Sequence, residues 1–135
     1  MKTVFADTNY WIAIVVRSDQ FHNKATQASN ALRAVTLVTT DEILVEFLNY
    51  LRNMGSATRI TGVKMARAIL MNPNVQVVPQ TRDSFIEGLK LYEQRDDKEY
   101  SLTDCISLNV MHQQDITEVL THDQHFSQEG KMLLL

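Results

Sequence analysis

The stretch Thr3-Val4-Phe5-Ala6-Asp7-Thr8-Asn9 decides how the chain is read. A short run of apolar and β-branched residues ends directly in a carboxylate followed by two small polar side chains, the pattern of a buried strand with an acid at its carboxyl end. Outward from it the same kind of run recurs at residues 36–39, 75–78, 118–121 and 132–135. Long segments with helical spacing lie between them. Ile43, Phe47 and Leu51 share one helical face, as do Ile60, Val63 and Leu70 after Ser56, and Phe85, Leu89 and Tyr92 after Thr81. From Ser101 onward Ile106 and Val110 fall on one side and Leu108 and Met111 on the other, so that helix is expected to be buried nearly all round.

Alternating strands and helices predict an α/β fold, a three-layer α/β/α arrangement with a mostly parallel sheet of about five strands and right-handed crossovers. The 135 residues, 44% hydrophobic, suffice for one domain, residues 1–135, with a core that needs no staple. Cys105 is the only cysteine, so an internal disulfide is excluded. It reads as a small buried side chain. The start shows no signal-peptide pattern, and its apolar run at residues 11–16 is far shorter than the roughly 20 residues that span a bilayer. The expectation is a cytoplasmic protein with no membrane partner.

Sixteen acids against thirteen bases leave a net charge of −3, which disfavours a broad basic surface for nucleic acid. Arg17, Lys24 and Arg52 are among the local bases available for such contact, and the sequence does not rank them. Residues 93–99 (Glu-Gln-Arg-Asp-Asp-Lys-Glu) are the only dense charge run and are expected to form a solvated loop.

In parallel sheets ligands sit beyond the carboxyl ends of the strands, at the switch point of strand order. Asp7 stands at such an end, and Asp123 stands at the matching place after residues 118–121. Either acid taken alone reads first as a helix cap. Glu46 lies about 100° from Phe47 on its helix, on the shoulder of the buried face, whereas Glu42 points more nearly to solvent. Asp104, in Ser101-Leu102-Thr103-Asp104, falls in the first turn of the buried helix. There a carboxylate needs backbone N–H groups, a cation, or both.

These fragments, Val4-Phe5-Ala6-Asp7-Thr8-Asn9, Glu46-Phe47-Leu48-Asn49, Ser101-Leu102-Thr103-Asp104 and Leu120-Thr121-His122-Asp123-Gln124-His125-Phe126, together resemble the PIN domains, and among them the VapC-type toxin ribonucleases. The resemblance implies a five-stranded parallel sheet and cleavage of single-stranded RNA with Mg2+ or Mn2+. It maps Asp7, Glu46, Asp104 and Asp123 onto the family's acidic positions. Thr8, Asn9, Ser101 and Thr121 match positions that orient those acids. A small antitoxin protein is the implied partner, and the amphipathic segments 41–54 and 56–71 read equally as surfaces for it or a homodimer and as faces that pack within the monomer.

Magnesium suits this composition because it takes oxygen ligands, keeps several waters and needs no histidine. Bound near a phosphodiester it eases ionisation of water and offsets the charge that builds on phosphate oxygens. His22, His112, His122 and His125 show no zinc spacing and no partner nucleophile, and they read as surface or packing residues. Aspartate-phosphorylating phosphatases also begin strand-then-Asp, but they carry a second Asp where this chain has Asn9. A non-catalytic PIN-like or receiver-like interaction domain is the other reading, and it leaves Glu46 and Asp104 without a purpose.

Overall fold

The computed structural model describes residues 2–135, and Met1 lies outside the described residues. The elements run β1 (Lys2–Ala6), α1 (Thr8–Val15), α2 (His22–Ala31), β2 (Val35–Thr40), α3 (Asp41–Leu51), α4 (Ser56–Met71), β3 (Val75–Val78), α5 (Arg82–Gln94), α6 (Leu102–Gln113), β4 (Glu118–Leu120), α7 (Gln124–Gln128) and β5 (Met132–Leu133). Every pairing among the five strands is parallel. The strands lie in the order β3-β2-β1-β4-β5. The α/β expectation is met, and the five runs read as strands are the five strands.

The order fixes where a site can form. From β1 the chain steps outward through β2 to β3, then crosses back to place β4 on the other side of β1. The switch point lies between β1 and β4, whose helices leave toward opposite faces and open a crevice at the carboxyl ends. β1 is the floor of the core: Val4, Phe5 and Ala6 have no exposure, and Val38, Val119 and Leu120 flank them fully buried. Such apolar runs are what a strand covered on both faces requires. α1 contacts α2, α3 and α4, while α5 packs on α6.

Caps define where the helices begin. Thr40 accepts from the Ile43 N–H, and Thr81 with Ser84 and Ser101 with Asp104 each form a reciprocal capping box. The helix after Ser101 is buried as expected, with Cys105, Ile106, Ser107, Leu108, Val110 and Met111 all inside.

Two helices present a different face from the one their large residues suggest. On α4 the buried positions are Gly62, Ala66 and Ile69, while Ile60 and Leu70 are more than half exposed. On α5 the buried position is Gly88, while Leu89 and Tyr92 are exposed. Both seams are close helix crossings: a Cβ on Gly62 would lie 2.6 Å from Leu51, and one on Gly88 would lie 2.6 Å from Ile106. Small residues allow the backbones to approach, and that approach, not side-chain bulk, sets the contact face. Residues 93–99 are mostly exposed, as expected, but α5 extends to Gln94 and Arg95 turns partly inward. No helix among the described residues is long and apolar enough to cross a membrane.

Candidate active site

Asp7 leaves the end of β1 as the N-cap of α1, yet its side chain makes no capping bond to that helix. Its N–H donates to the Leu120 carbonyl at 3.2 Å, which ties it to the end of β4. Its carboxyl is buried. Burial is the largest influence on its acidity, the Thr8 N–H and the Thr121 hydroxyl partly offset it, and the charges of Asp104 and Glu46 add to it, so the pKa rises from 3.8 to about 7. A carboxyl held this far from its ordinary value at a strand end is not a simple cap.

Thr121, fully buried just past β4, uses its whole hydroxyl. It donates to Asp7 Oδ2 at 2.9 Å and accepts from Asn9 Nδ2 at 2.8 Å and from the Asp123 N–H at 3.1 Å. One side chain thereby locks the exits of β1 and β4 together. Asn9 Oδ1 is buried and has no partner among the described residues.

Glu46 is half-buried on α3 and accepts from the Thr8 hydroxyl at 2.5 Å. Asp104 accepts from the Ser101 N–H at 3.1 Å, and its own N–H donates to Ser101 Oγ at 3.0 Å. Asp123 is the N-cap of α7 and accepts from the His125 N–H at 2.9 Å. For Asp104 and Asp123 the capping role is real and leaves one oxygen free of it. The four acids found in the sequence thus converge at one end of the sheet, Asp7 feeling Glu46 and Asp104 directly and Asp123 joined through Thr121.

Two residues depart from the sequence reading. His125 is neither surface nor filler: its Nδ1 lies 3.1 Å from Asp104 Oδ2 and 3.4 Å from Asp123 Oδ1. Ionised carboxylates only accept, so Nδ1 carries the hydrogen. Its position two residues past Asp123 was the available signal, but its second partner lies on another helix. Glu42, expected in solvent, is half-buried with Oε2 unpartnered among the described residues, and burial pushes its pKa up. The other histidines with described contacts do pack: His22 Nδ1 bonds the Ala13 carbonyl at 2.7 Å, and His122 stacks on Phe21 with centroids 3.9 Å apart. Cys105 is buried, and that burial together with the Asp104 charge pushes its thiol up to about 11, so it is no nucleophile.

A family model described as the PIN domain matches residues 4–131. The chain belongs to the PIN domain family. A relative from Mycobacterium tuberculosis, the 23S rRNA-specific endonuclease VapC20, is 27% identical over 128 residues, 94% of each chain. The crystal structure of Mycobacterium tuberculosis VapC20, described as a sarcin-ricin loop cleaving toxin, superposes with a TM-score of 0.85 at 25% identity over 96% of both chains. FitAcB from Neisseria gonorrhoeae shares the fold at a TM-score of 0.64 and 14% identity, covering 96% of this chain and 95% of that one.

Whether this PIN domain's residues suit a metal is a question of donors. Asp104, Asp123 and His125 each offer a ligand atom within 4.8 Å of the others. The remaining donors are carboxylate oxygens and the unpartnered Asn9 Oδ1. An oxygen-rich, open arrangement with mutually repelling charges fits a hard dication, which would favour the ionised form of Asp7 that burial now disfavours.

Proposed function

We propose that this PIN domain is a divalent-metal-dependent endoribonuclease that hydrolyses phosphodiester bonds in single-stranded RNA, acting in the cytoplasm as the toxin of a toxin-antitoxin pair. The observation that carries the reading is the meeting of Asp7, Glu46 and Asp104 at the switch point of the sheet, where their charges act on a buried Asp7 carboxyl. A purely structural site has no use for two further acids close enough to disfavour the charge of a buried Asp7.

Asp7, Glu46, Asp104 and Asp123 would hold Mg2+ or Mn2+. When bound, such an ion supplies Lewis-acid polarisation of the phosphodiester and promotes ionisation of water. The surrounding residues orient the acids. Thr8 fixes one oxygen of Glu46, Thr121 fixes one oxygen of Asp7, and Asn9 prevents the Thr121 hydroxyl from turning away. Ser101 holds Asp104 at the first turn of α6, accepting the Asp104 N–H at 3.0 Å and donating its own N–H to the carboxylate at 3.1 Å. The net charge of −3 is consistent with this, since four of the acids would be offset by the bound cation.

The VapC20 relative makes 23S rRNA the first substrate to test; an antitoxin is the first partner proposed, since proteins of this fold are found in toxin-antitoxin complexes, and a homodimer is the other assembly proposed. The deciding experiment incubates purified protein with single-stranded RNA and with ribosomal RNA, in manganese or in EDTA, beside an Asp104→Asn control. Cleavage that needs manganese and disappears in the variant is expected. Cleavage that persists in EDTA, or in Asp104→Asn, would remove the metal reading.

A further inference from the structure

Arg95 stands in the densest charge run of the chain, yet it turns partly inward. Its Nε and Nη2 donate to Glu129 at 3.2 and 3.1 Å. Glu129 also accepts from the Tyr100 hydroxyl at 2.9 Å, and the Arg95 bond is the main reason its carboxyl is held below the usual range. Tyr100 is buried, and that burial together with Glu129 pushes its hydroxyl up to about 12, so it stays protonated and keeps donating.

The Tyr100 ring lies 5.2 Å from the His125 ring, the planes inclined at 54°, within the range of a favourable aromatic pair. His125 in turn faces Asp104 and Asp123 through Nδ1. The next residue, Ser101, caps α6 and holds Asp104. The dipeptide Tyr100-Ser101 therefore touches His125 through a ring and Asp104 through a hydroxyl and an N–H. We propose that Tyr100, tied down by Glu129 and Arg95, is a positioning residue that holds His125 as the bridge between Asp104 and Asp123 and so sets the spacing of those two acids for a metal ion.

The physical need is plain. Asp104 belongs to α6 and Asp123 precedes α7, so no shared backbone fixes their distance, and their like charges drive them apart. An N–H that bonds Asp104 at 3.1 Å and lies 3.4 Å from Asp123 opposes that drive only if the imidazole is held still. The Tyr100 ring removes its rotational freedom, and Arg95 and Glu129 remove that of Tyr100. Ligand-orienting partners of this kind change metal affinity by about 10- to 100-fold when lost.

The inference rests on the metal-dependent reading above, so the test carries one arm that needs no metal. Manganese affinity is measured by calorimetry, and the His125 imidazole nitrogens are followed by NMR in metal-free protein. Tyr100→Leu is expected to weaken manganese binding about tenfold, while Tyr100→Phe, which keeps the ring but loses the bond to Glu129, should fall between Tyr100→Leu and wild type. In a His125→Ala background Tyr100→Leu should add less than about twofold, because residues acting through one another are not additive. In the metal-free arm, wild type should show hydrogen on Nδ1, and Tyr100→Leu should shift or broaden those signals. Glu129→Gln, which loosens the Arg95 tie at constant size, replaces Tyr100→Leu if the latter does not fold, with the same direction expected. Full additivity, or unchanged manganese affinity together with unchanged imidazole signals, overturns the role of Tyr100. Wild-type protein that neither binds manganese nor cuts RNA would sink the functional reading, and the imidazole signals would still decide what Tyr100 does.

Discussion

Replacing Asp7 by Asn removes one charge at nearly constant volume, and its effect should change sign with pH. Burial raises the Asp7 pKa from 3.8 to about 7, so the folded protein keeps a proton that the unfolded chain has lost. Favourable linkage from this group is complete below about pH 4 and is lost as the pH rises to about 7, a swing on the order of 4 kcal/mol in the metal-free protein. Asn carries no such cost. It can still accept from Thr121, but its amide N–H2 gains no partner, a penalty of about 1–3 kcal/mol. The net gain for Asp7→Asn in EDTA at pH 8 is then about 2 kcal/mol, falling through zero near pH 5 and reversing below it. For 135 residues the unfolding entropy is roughly 0.3 kcal/mol/K, so the gain corresponds to a melting temperature about 7 °C higher at pH 8. Magnesium at 100 times its dissociation constant should stabilise wild type by about 2.7 kcal/mol and the variant far less. The assay is a set of calorimetric melts from pH 4 to pH 8, with EDTA and with magnesium. A variant that melts below wild type at every pH in EDTA would refute the argument from burial, and an equal magnesium shift in both proteins would remove Asp7 from the ligand set.

Glu46→Gln should lower RNA cleavage at least 100-fold at saturating manganese while the fold, read by circular dichroism, persists. Glu42→Gln should cut RNA at the wild-type rate and melt slightly higher at pH 8 but not at pH 4, because burial raises the Glu42 pKa and its ionised form weakens the fold as pH rises; a dead Glu42→Gln would place that residue in the site. Ile69→Ala should cost about 2–5 kcal/mol in urea melts and Leu70→Ala less than about 0.5, since the first is buried and the second exposed; the reverse order would restore the face suggested by the large residues. Gly88→Ala should destabilise by about 1 kcal/mol despite the better helix former, because its methyl meets Ile106, and a more stable variant would show that α5 and α6 can separate at no cost.

Strands were legible because a doubly covered parallel strand needs apolar residues throughout, as in Val4-Phe5-Ala6, and few other elements do. The acids after β1 and β4 followed from that, since a strand end at a switch point is a place and not merely a composition. Asp104 was legible through Ser101, three residues before it, which marks a helix start. The contact faces of α4 and α5 were not legible: periodicity weighs large apolar residues, while Gly62 and Gly88 act by what they lack. His125 was missed because its meaning depends on Asp104, on a different helix, and on Tyr100, which no spacing along the chain brings near. A helical wheel put Glu42 in solvent because it ranks directions around one helix and carries no knowledge of what covers the first turn.

The central strand β1 is the first to be synthesised, but its neighbour β4 is the last but one. The bond from Thr121 to Asp7 spans 114 residues of sequence, and Asp104 and Asp123 arrive with the same late segment. A growing chain can pair β1 with β2 and β3 and pack α1 to α4 over them, yet it holds Asp7 with no Thr121 to orient it and no Asp104 beside it. The carboxylate cluster comes into being only after β4 has followed β2 and β3 and paired with β1, so whatever chemistry it performs waits on that last-formed central contact.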